Sequence, residues 1–63
     1  MKNKLREIRK SKKLSQEKLS ELSGVSRTTI SKIENGDATS LKSETIIALS
    51  ESLDERVENI FLF

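Results

Sequence analysis

Two stretches with the apolar spacing of a helix meet at a single glycine, Gly24, and no other feature of the chain constrains its fold as strongly. The apolar positions on either side of this glycine are Leu19 and Leu22 before it, and Val25, Ile30 and Ile33 after it. Residues three or four apart lie on the same face of a helix, so both stretches are expected to face one core. The sequence therefore predicts two short helices that pack together across a sharp turn.

A serine stands where each of these two helices should begin. Ser15 precedes Gln16 and Glu17, and Ser26 follows the glycine at the point where the chain re-enters a helix. Serine is a preferred N-cap residue because its side-chain oxygen accepts a hydrogen bond from a backbone N–H of the first turn. Two helices joined by a short turn that contains glycine form a helix-turn-helix motif.

The remaining residues predict three further helices and no strand. The chain has no Pro and only two Gly, and it lacks runs of alternating β-branched residues. Helices are expected at about residues 3–12, 16–22, 27–35 and 57–61, with another that has Ser43 as its N-cap. The residues expected to face the core from the outer helices are Leu5, Ile8, Ile46, Leu49 and Leu53, and Gly36 is expected to end the third helix. With 63 residues there is room for one core, so we predict an all-α fold: a single compact five-helix domain, residues 1–63.

Cysteine and histidine are both absent from the chain. Without Cys no disulfide or thiolate metal site can form, and without His the commonest metal ligand and general base is missing. We therefore expect no enzyme activity, no metal, no cofactor and no small-molecule ligand. No apolar run approaches the ~18 residues of a membrane span, and the N-terminus MKNKLREIRK lacks the apolar region of a signal peptide. The chain is expected to be a soluble, cytoplasmic protein without membrane contact.

Charge is distributed unevenly along the chain. Up to Ile33 there are ten Lys and Arg residues against three acids, whereas from Glu34 onward there are two against seven. The formal net charge of +2 therefore combines one half of +7 with another of −5. Such asymmetry is typical of a protein that turns one face toward a polyanion, although a solvated surface of uneven composition gives the same pattern.

The outer side of the predicted third helix carries donors and cations. Arg27, Thr28, Ser31 and Lys32 are spaced i, i+1, i+4 and i+5, so they share one stripe outside the apolar set. Ordinary solvated helix surface is the alternative interpretation of these residues. Their position on a helix-turn-helix motif favours a polyanion partner instead.

Several residues together match one known family. They are Gln16 opening the second helix, the small Ser20 at the helix crossing, Gly24 in the turn, the ending Ile33-Glu34-Asn35-Gly36, and the tail Val57-Glu58-Asn59-Ile60-Phe61. Through them the chain, over roughly residues 3–61, resembles the phage repressor and Cro class of helix-turn-helix proteins, often called Xre-like. The resemblance implies a lambda-repressor-like DNA-binding fold. It also implies a small phage or mobile-element transcriptional regulator, a repressor that binds double-stranded DNA by sequence and acts by occupying its operator.

The resemblance also implies roles for single residues. Arg27, Thr28 and Lys32 match positions that reach base edges in the major groove, and Ser31 shares their stripe. The chemistry agrees, because an arginine can donate two hydrogen bonds to guanine, and threonine offers a hydroxyl or a methyl group to a base. The residues expected to contact DNA phosphates are Gln16, Ser26, Asn35, Lys10 and Lys13. The two lysines are included because the loop after Gly36 begins with an acid, Asp37. The basic residues of the first helix are expected to compensate for this loop, although only some of them can face DNA at once; they are Lys2, Lys4, Arg6, Lys10, Lys12 and Lys13.

A structural ion pair is a further implication of the resemblance. It joins Arg9 of the first helix to Glu34 at the end of the third. If both side chains are buried, losing one partner costs about 3–5 kcal/mol. The alternative role for Arg9 is a phosphate contact.

A symmetric dimer joined through the C-terminal third is expected. A single helix reads only a few base pairs, whereas two helices about 34 Å apart read an inverted repeat, as in the family that the chain resembles. The residues expected at the dimer interface are Ile47, Ile60, Phe61, Leu62 and Phe63, since so small a core cannot bury this whole apolar end. The alternative is that Leu62 and Phe63 fold onto the core of their own chain.

A second function stays open at this point. The acidic second half, with its apolar end, also fits a protein-binding module, such as an antitoxin-like or anti-repressor partner that has kept the fold.

Overall fold

Five helices make up the computed structural model, which describes residues 2–38 and 40–62. In chain order they are α1 (Leu5–Ser11), α2 (Gln16–Ser23), α3 (Arg27–Glu34), α4 (Ser43–Leu53) and α5 (Val57–Ile60). Within these ranges the only β pairing is an isolated bridge between Asn3 and Phe61. The prediction of an all-α, five-helix fold is confirmed. No helix in the described part of the chain is long and apolar enough to span a membrane.

The turn between α2 and α3 has the geometry that the sequence predicted. The Ser15 hydroxyl accepts a hydrogen bond from the Lys18 N–H at 2.9 Å, and the Ser26 hydroxyl accepts one from the Thr29 N–H at 3.2 Å. Gly24 ends α2 in the left-handed region, with φ of 76°. Because this conformation is costly for a residue with a Cβ, glycine allows the helix to stop and the chain to turn within three residues.

Gly24→Ala should therefore lower the free energy of unfolding by about 1 kcal/mol or more. No atom beyond the two neighbouring residues lies within 4 Å of the added Cβ, so the cost comes from backbone strain and not from a clash with the rest of the fold. Glu21→Ala, at an exposed position of the same helix, serves as the control and should stay within about 0.5 kcal/mol of the parent. Urea unfolding followed by circular dichroism measures both. Equal stability of the two variants would contradict the proposed strain.

All five helices contribute to one apolar core. Its fully buried side chains are Leu5, Leu19, Ile30, Ile33, Leu49, Leu53, Ile60 and Phe61. The helix α2 packs against both α3 and α4, and α1 packs against α3. This arrangement holds α3 by its inner face, which carries Ile30 and Ile33, and leaves its outer face uncovered.

Leu22 lies outside this core, so its expected inward position is wrong: its exposed fraction is 53%. The buried or half-buried positions of α2 are Gln16, Leu19, Ser20 and Ser23. At about 100° per residue, these four positions span an arc of about 100° with Leu19 at one end, and Leu22 lies about 60° beyond Leu19, outside that arc. The three-residue spacing of Leu19 and Leu22 is therefore not sufficient to bury both side chains in the core.

The start of α4 also differs from the expectation. Ser43 is the first residue of the helix and not its cap; Lys42 stands at the cap position, without a side-chain hydrogen bond. The Lys42 carbonyl accepts hydrogen bonds from the N–H groups of Thr45 and Ile46, at 3.0 and 3.2 Å. The helix thus begins one residue earlier than the capping preference of serine indicated.

The two ends of the chain pair with each other through their backbones. The Lys4 N–H donates to the Ile60 carbonyl at 2.7 Å, and the Leu62 N–H donates to the Lys2 carbonyl at 3.1 Å. The Asn3 amide links this pairing to α3, since its Nδ2 donates to the Ile33 carbonyl at 2.8 Å. This pairing was not predicted, because it joins two very short segments from opposite ends of the sequence.

The end pairing corrects the expected dimer interface. Ile60 and Phe61 are drawn into the core, with exposed fractions of 0% and 1%, so the expectation that they form a surface for a second copy is wrong. Ile47 and Leu62 are exposed, at 52% and 42%. Phe63, the fifth residue of that expectation, lies outside the described residues.

Candidate nucleic-acid interface

A shallow open groove runs beside the outer face of α3. It is lined by Gln16 from the start of α2 and by Arg27, Thr28, Ser31 and Lys32 from α3. All four α3 residues belong to the stripe that the sequence indicated. Arg27, Thr28 and Lys32 are exposed and Ser31 is half-buried. The groove therefore presents two cations, two hydroxyls and an amide to the solvent side of the helix-turn-helix motif.

The serine that caps α3 is already engaged within the motif. The Ser26 hydroxyl accepts from the Thr29 N–H and donates to Thr29 Oγ1 at 2.8 Å. These two bonds fix the first turn of α3 and with it the position of Arg27, the next residue after the cap. Ser26 thus supports the groove from its edge, and its predicted phosphate contact stays a prediction.

The ion pair between Arg9 and Glu34 is linked to the groove through Gln16, which donates a hydrogen bond to Glu34. Arg9 Nε donates to Glu34 Oε2 at 2.6 Å and Arg9 Nη2 donates to Oε1 at 3.1 Å, so the pair is bidentate. A third bond runs from Arg9 Nη1 to the Leu14 carbonyl at 2.7 Å. Both side chains are shielded, with exposed fractions of 9% for Arg9 and 0% for Glu34. This geometry ties α1, the α1–α2 link and the end of α3 together.

Two further donors reach the same carboxylate. Gln16 Nε2 donates to Glu34 Oε1 at 3.1 Å, and Arg6 Nε donates to that oxygen at 3.3 Å. Arg6 also donates from Nη2 to Asn35 Oδ1 at 2.9 Å. Glu34 therefore connects Gln16 of the groove with Arg6 and Asn35 at the end of α3.

Arg6 is one of the basic residues of the first helix that the sequence indicated as phosphate contacts, but its hydrogen bonds to Glu34 and Asn35 were not predicted. A signal was present, because Arg6 lies three residues before Arg9 and such a spacing puts two side chains on one helix face.

The hydrogen bonds around Glu34 shift the pKa values of the pair in opposite directions. Burial by itself raises the pKa of the Glu34 carboxyl group, but the hydrogen bonds from Arg9, Gln16 and Arg6 outweigh it and hold that pKa below its ordinary value. The hydrogen bond to Glu34 raises the pKa of Arg9 despite the opposing effect of burial. Both shifts keep the charged forms in place.

The lowered pKa predicts a specific acid dependence of stability. A carboxyl group whose folded-state pKa is depressed stabilises the fold above its unfolded-state pKa of about 4.3, and this contribution disappears as pH falls through the folded-state value. Unfolding free energies measured from pH 6 to pH 2.5 should therefore fall for the parent and for the surface control Glu51→Gln. Glu34→Gln should start lower at pH 6 and lose less. Parallel curves for all three proteins would show that Glu34 has an ordinary pKa.

Two of the expected phosphate ligands lie away from the groove. Lys10 is exposed on α1, and Lys13 is exposed in the link between α1 and α2. Lys13 has a positive φ of 60°, which is unusual for a residue other than glycine. Neither lysine lines the groove, so their contacts with DNA stay predictions. Among the described residues there is no cluster of Asp, Glu, His or Cys that could hold a metal ion.

Comparison with known proteins identifies relatives of this arrangement. A family model described as "Helix-turn-helix" matches residues 5–59. A curated protein of Bacillus subtilis (strain 168), named "Uncharacterized HTH-type transcriptional regulator RghRB", is 45% identical over 56 residues. That match covers 89% of this chain but 40% of the relative. The chain thus spans less than half the length of that protein.

Proposed function

The chain belongs to the helix-turn-helix family, and on this basis we propose that it is a transcriptional regulator that binds double-stranded DNA sequence-specifically. The observation that carries the proposal is the orientation of α3. Its apolar side, with Ile30 and Ile33, is fully buried, and its opposite side presents Arg27, Thr28 and Lys32 to solvent. A helix held by one face with donors and cations on the other is suited to enter the major groove.

The residues of the groove take different roles in this proposal. Arg27, Thr28, Ser31 and Lys32 contact base edges, where each good pair contributes about 1–3 kcal/mol of discrimination. Phosphate contacts position the domain without reading sequence, and they fall to Gln16, Ser26, Asn35, Lys10 and Lys13. Gln16 is suited to this task because its hydrogen bond to Glu34 fixes the amide at the rim of the groove.

Repression by operator occupancy is the mode that we propose. The described residues form one core to which all five helices contribute, which supports a single DNA-binding domain. Such a domain represses by covering a site that another protein needs. We place this activity in the cytoplasm, where it has access to DNA, and we expect no catalytic step.

A symmetric dimer on an inverted-repeat operator is part of the proposal. Two copies place their α3 helices one DNA turn, about 34 Å, apart. The exposed apolar residues Ile47 and Leu62 support a contact through the C-terminal part of the chain. A contact of so few side chains is small, so DNA assembles the dimer by bringing two half-sites together. Analytical ultracentrifugation with palindromic and half-site duplexes tests this, and a single copy bound to the palindrome would contradict it.

The experiment that tests the function is selection of bound sites from a random duplex library. The parent should enrich one sequence with inverted-repeat symmetry. A triple variant that lacks three of the four stripe residues, Arg27→Ala with Thr28→Ala and Lys32→Ala, serves as the control and should enrich none. If the parent enriches no sequence, the proposal of sequence-specific binding fails.

Arg27→Ala should relax the sequence preference at one base pair per half-site by about 1–3 kcal/mol. The reason is that an exposed arginine at the first turn of α3 makes a contact with one base pair that a methyl group cannot replace. Arg56→Ala removes the same charge from an exposed position outside the groove and should leave the preference unchanged. Competition titrations with singly substituted duplexes measure the effect. An unchanged preference in Arg27→Ala would remove this residue from the base-reading set.

A protein-binding module is the second candidate function. The exposed side chains of Ile47 and Leu62, together with the excess of acids after Ile33, favour it. A pure protein-binding module would not respond to the sequence of a duplex. Selection from the random duplex library therefore separates the two candidates.

A further inference from the structure

Arg6 is a basic residue of α1 whose guanidinium is fixed at two points. Its Nε lies 3.3 Å from Glu34 Oε1, and its Nη2 lies 2.9 Å from Asn35 Oδ1. Half of the Arg6 side chain nevertheless stays exposed to solvent. A guanidinium has five N–H donors, and these two contacts use two of them. The outward part of the group is thus held in one orientation, with donors to spare.

The charge of Arg6 is not cancelled by the carboxylate that it touches. The Glu34 side chain is fully buried and already forms a bidentate pair with Arg9. One negative charge therefore faces two guanidinium groups, and the cluster keeps a net charge of +1. Because Arg9 is buried, the surplus positive charge is presented to solvent by Arg6.

Asn35 adds a second donor beside this cation. Its carboxamide oxygen accepts from Arg6 Nη2, and Nδ2 of the same carboxamide is a donor next to this contact. Asn35 is exposed. A guanidinium and an amide nitrogen side by side match the two non-bridging oxygens of a phosphodiester, and charge-assisted hydrogen bonds to phosphate are among the strong ones.

The network around Glu34 places this pair at the border of the groove. Glu34 Oε1 accepts from Arg6 Nε and from Gln16 Nε2, so these two nitrogens lie close to each other. Gln16 lines the groove, and Arg6 and Asn35 are connected to Gln16 by hydrogen bonds through Glu34. We propose that Arg6 and Asn35 form a phosphate clamp, a site that binds one backbone phosphodiester of DNA next to the groove. This inference rests on the proposed function.

The chain after α3 offers little to replace such a clamp. Between Gly36 and α4 the sequence reads Asp-Ala-Thr-Ser-Leu-Lys, with an acid first and its one cation, Lys42, at the start of α4. A phosphate near the end of α3 must therefore be bound by a cation from another element. Arg6 of α1 meets this requirement because it already touches Asn35.

The matched variants for the test are Arg6→Ala and Arg56→Ala. Each removes one solvent-exposed arginine and its ion pair, Arg6 with Glu34 and Arg56 with Glu58. On the duplex enriched by selection, Arg6→Ala should bind roughly tenfold more weakly at 0.1 M salt. Its plot of log K against log salt should be shallower by about 0.9, the change expected when the protein neutralises one phosphate fewer. Arg56→Ala should match the parent in both respects, and circular dichroism melting should show both variants folded.

Duplexes in which one phosphate at a time is replaced by a neutral methylphosphonate locate the clamp directly. At one position the replacement should weaken binding of the parent but leave binding by Arg6→Ala unchanged, because this variant no longer binds that phosphate. Binding by Asn35→Ala should likewise be insensitive to the methylphosphonate at that position. The double variant, Arg6→Ala with Asn35→Ala, should bind no more weakly than Arg6→Ala alone. Arg6→Lys should keep the salt slope but bind more weakly, since lysine cannot reproduce the fork to both Glu34 and Asn35.

Failure of the clamp and failure of the proposed function give different results. If the parent binds no duplex, the proposed function fails and the clamp fails with it. If the parent binds DNA and Arg6→Ala has the affinity and salt slope of Arg56→Ala, the proposed function stands and the clamp alone is overturned. A loss of affinity in Arg6→Ala without any change at a single phosphate overturns it as well.

Discussion

Phe61→Ala is expected to lower the free energy of unfolding by about 3–5 kcal/mol. Phe61 is the largest of the fully buried side chains, and its backbone takes part in the bridge with Asn3. Its truncation removes apolar contacts and leaves a cavity in the core. Native domains are stable by roughly 5–15 kcal/mol, and so small a chain lies near the lower limit. The variant should therefore be largely unfolded at 37 °C.

Leu62→Ala is the matched control, because it truncates the next residue along the chain. Leu62 is 42% exposed, so its truncation should change stability by less than about 1 kcal/mol. Thermal and urea unfolding of both variants gives the comparison. If Phe61→Ala were as stable as Leu62→Ala, the Phe61 side chain would not be packed into the core. Phe61 would then again be a candidate for the dimer interface.

Arg9→Ala is expected to cost about 3–5 kcal/mol, because it leaves the Glu34 carboxylate buried without its bidentate partner. The remaining donors, Gln16 and Arg6, each provide one hydrogen bond and cannot replace the bidentate pair from a shielded guanidinium. The substitution also frees the Leu14 carbonyl, so the link between α1 and α2 is weakened at the same time.

Lys12→Ala provides the control for Arg9→Ala. It removes a positive charge from the exposed end of α1 and should change stability by about 0.5 kcal/mol or less. Differential scanning calorimetry of the two variants, at the same pH and salt, should show a clearly lower melting temperature for Arg9→Ala alone. Similar melting temperatures would mean that the ion pair is not shielded in solution.

The parts of the fold that could be predicted from sequence depend on local chemistry. The caps at Ser15 and Ser26 and the left-handed glycines, Gly24 and Gly36, were recognisable because each effect acts within one helical turn. Helix periodicity likewise placed Leu49 and Leu53 in the core. The outer stripe of α3 followed from the same periodicity.

The parts that could not be predicted depend on contacts between distant segments. The pairing of residues 2–4 with residues 60–62 decides that Phe61 is buried, and nothing near Phe61 in sequence indicates it. Residue spacing likewise does not predict that Arg6, Arg9 and Gln16 together donate four hydrogen bonds to Glu34. Leu22 shows a different reason: its spacing is compatible with burial, but the packing of α2 selects Ser20 and Ser23 for the inner face.

The central claim is that the face formed by Gln16 and the outer stripe of α3 binds duplex DNA, and its most direct test is a titration at several salt concentrations. The measurement is fluorescence anisotropy of a labelled duplex carrying the selected site, between about 50 and 200 mM salt, with the parent and with Lys32→Ala. For the parent, log K should fall linearly with log salt, with a slope of about −0.9 for each phosphate contacted. Lys32→Ala should bind more weakly throughout. Absence of binding, or an affinity that is independent of salt and unchanged in Lys32→Ala, would contradict the claim.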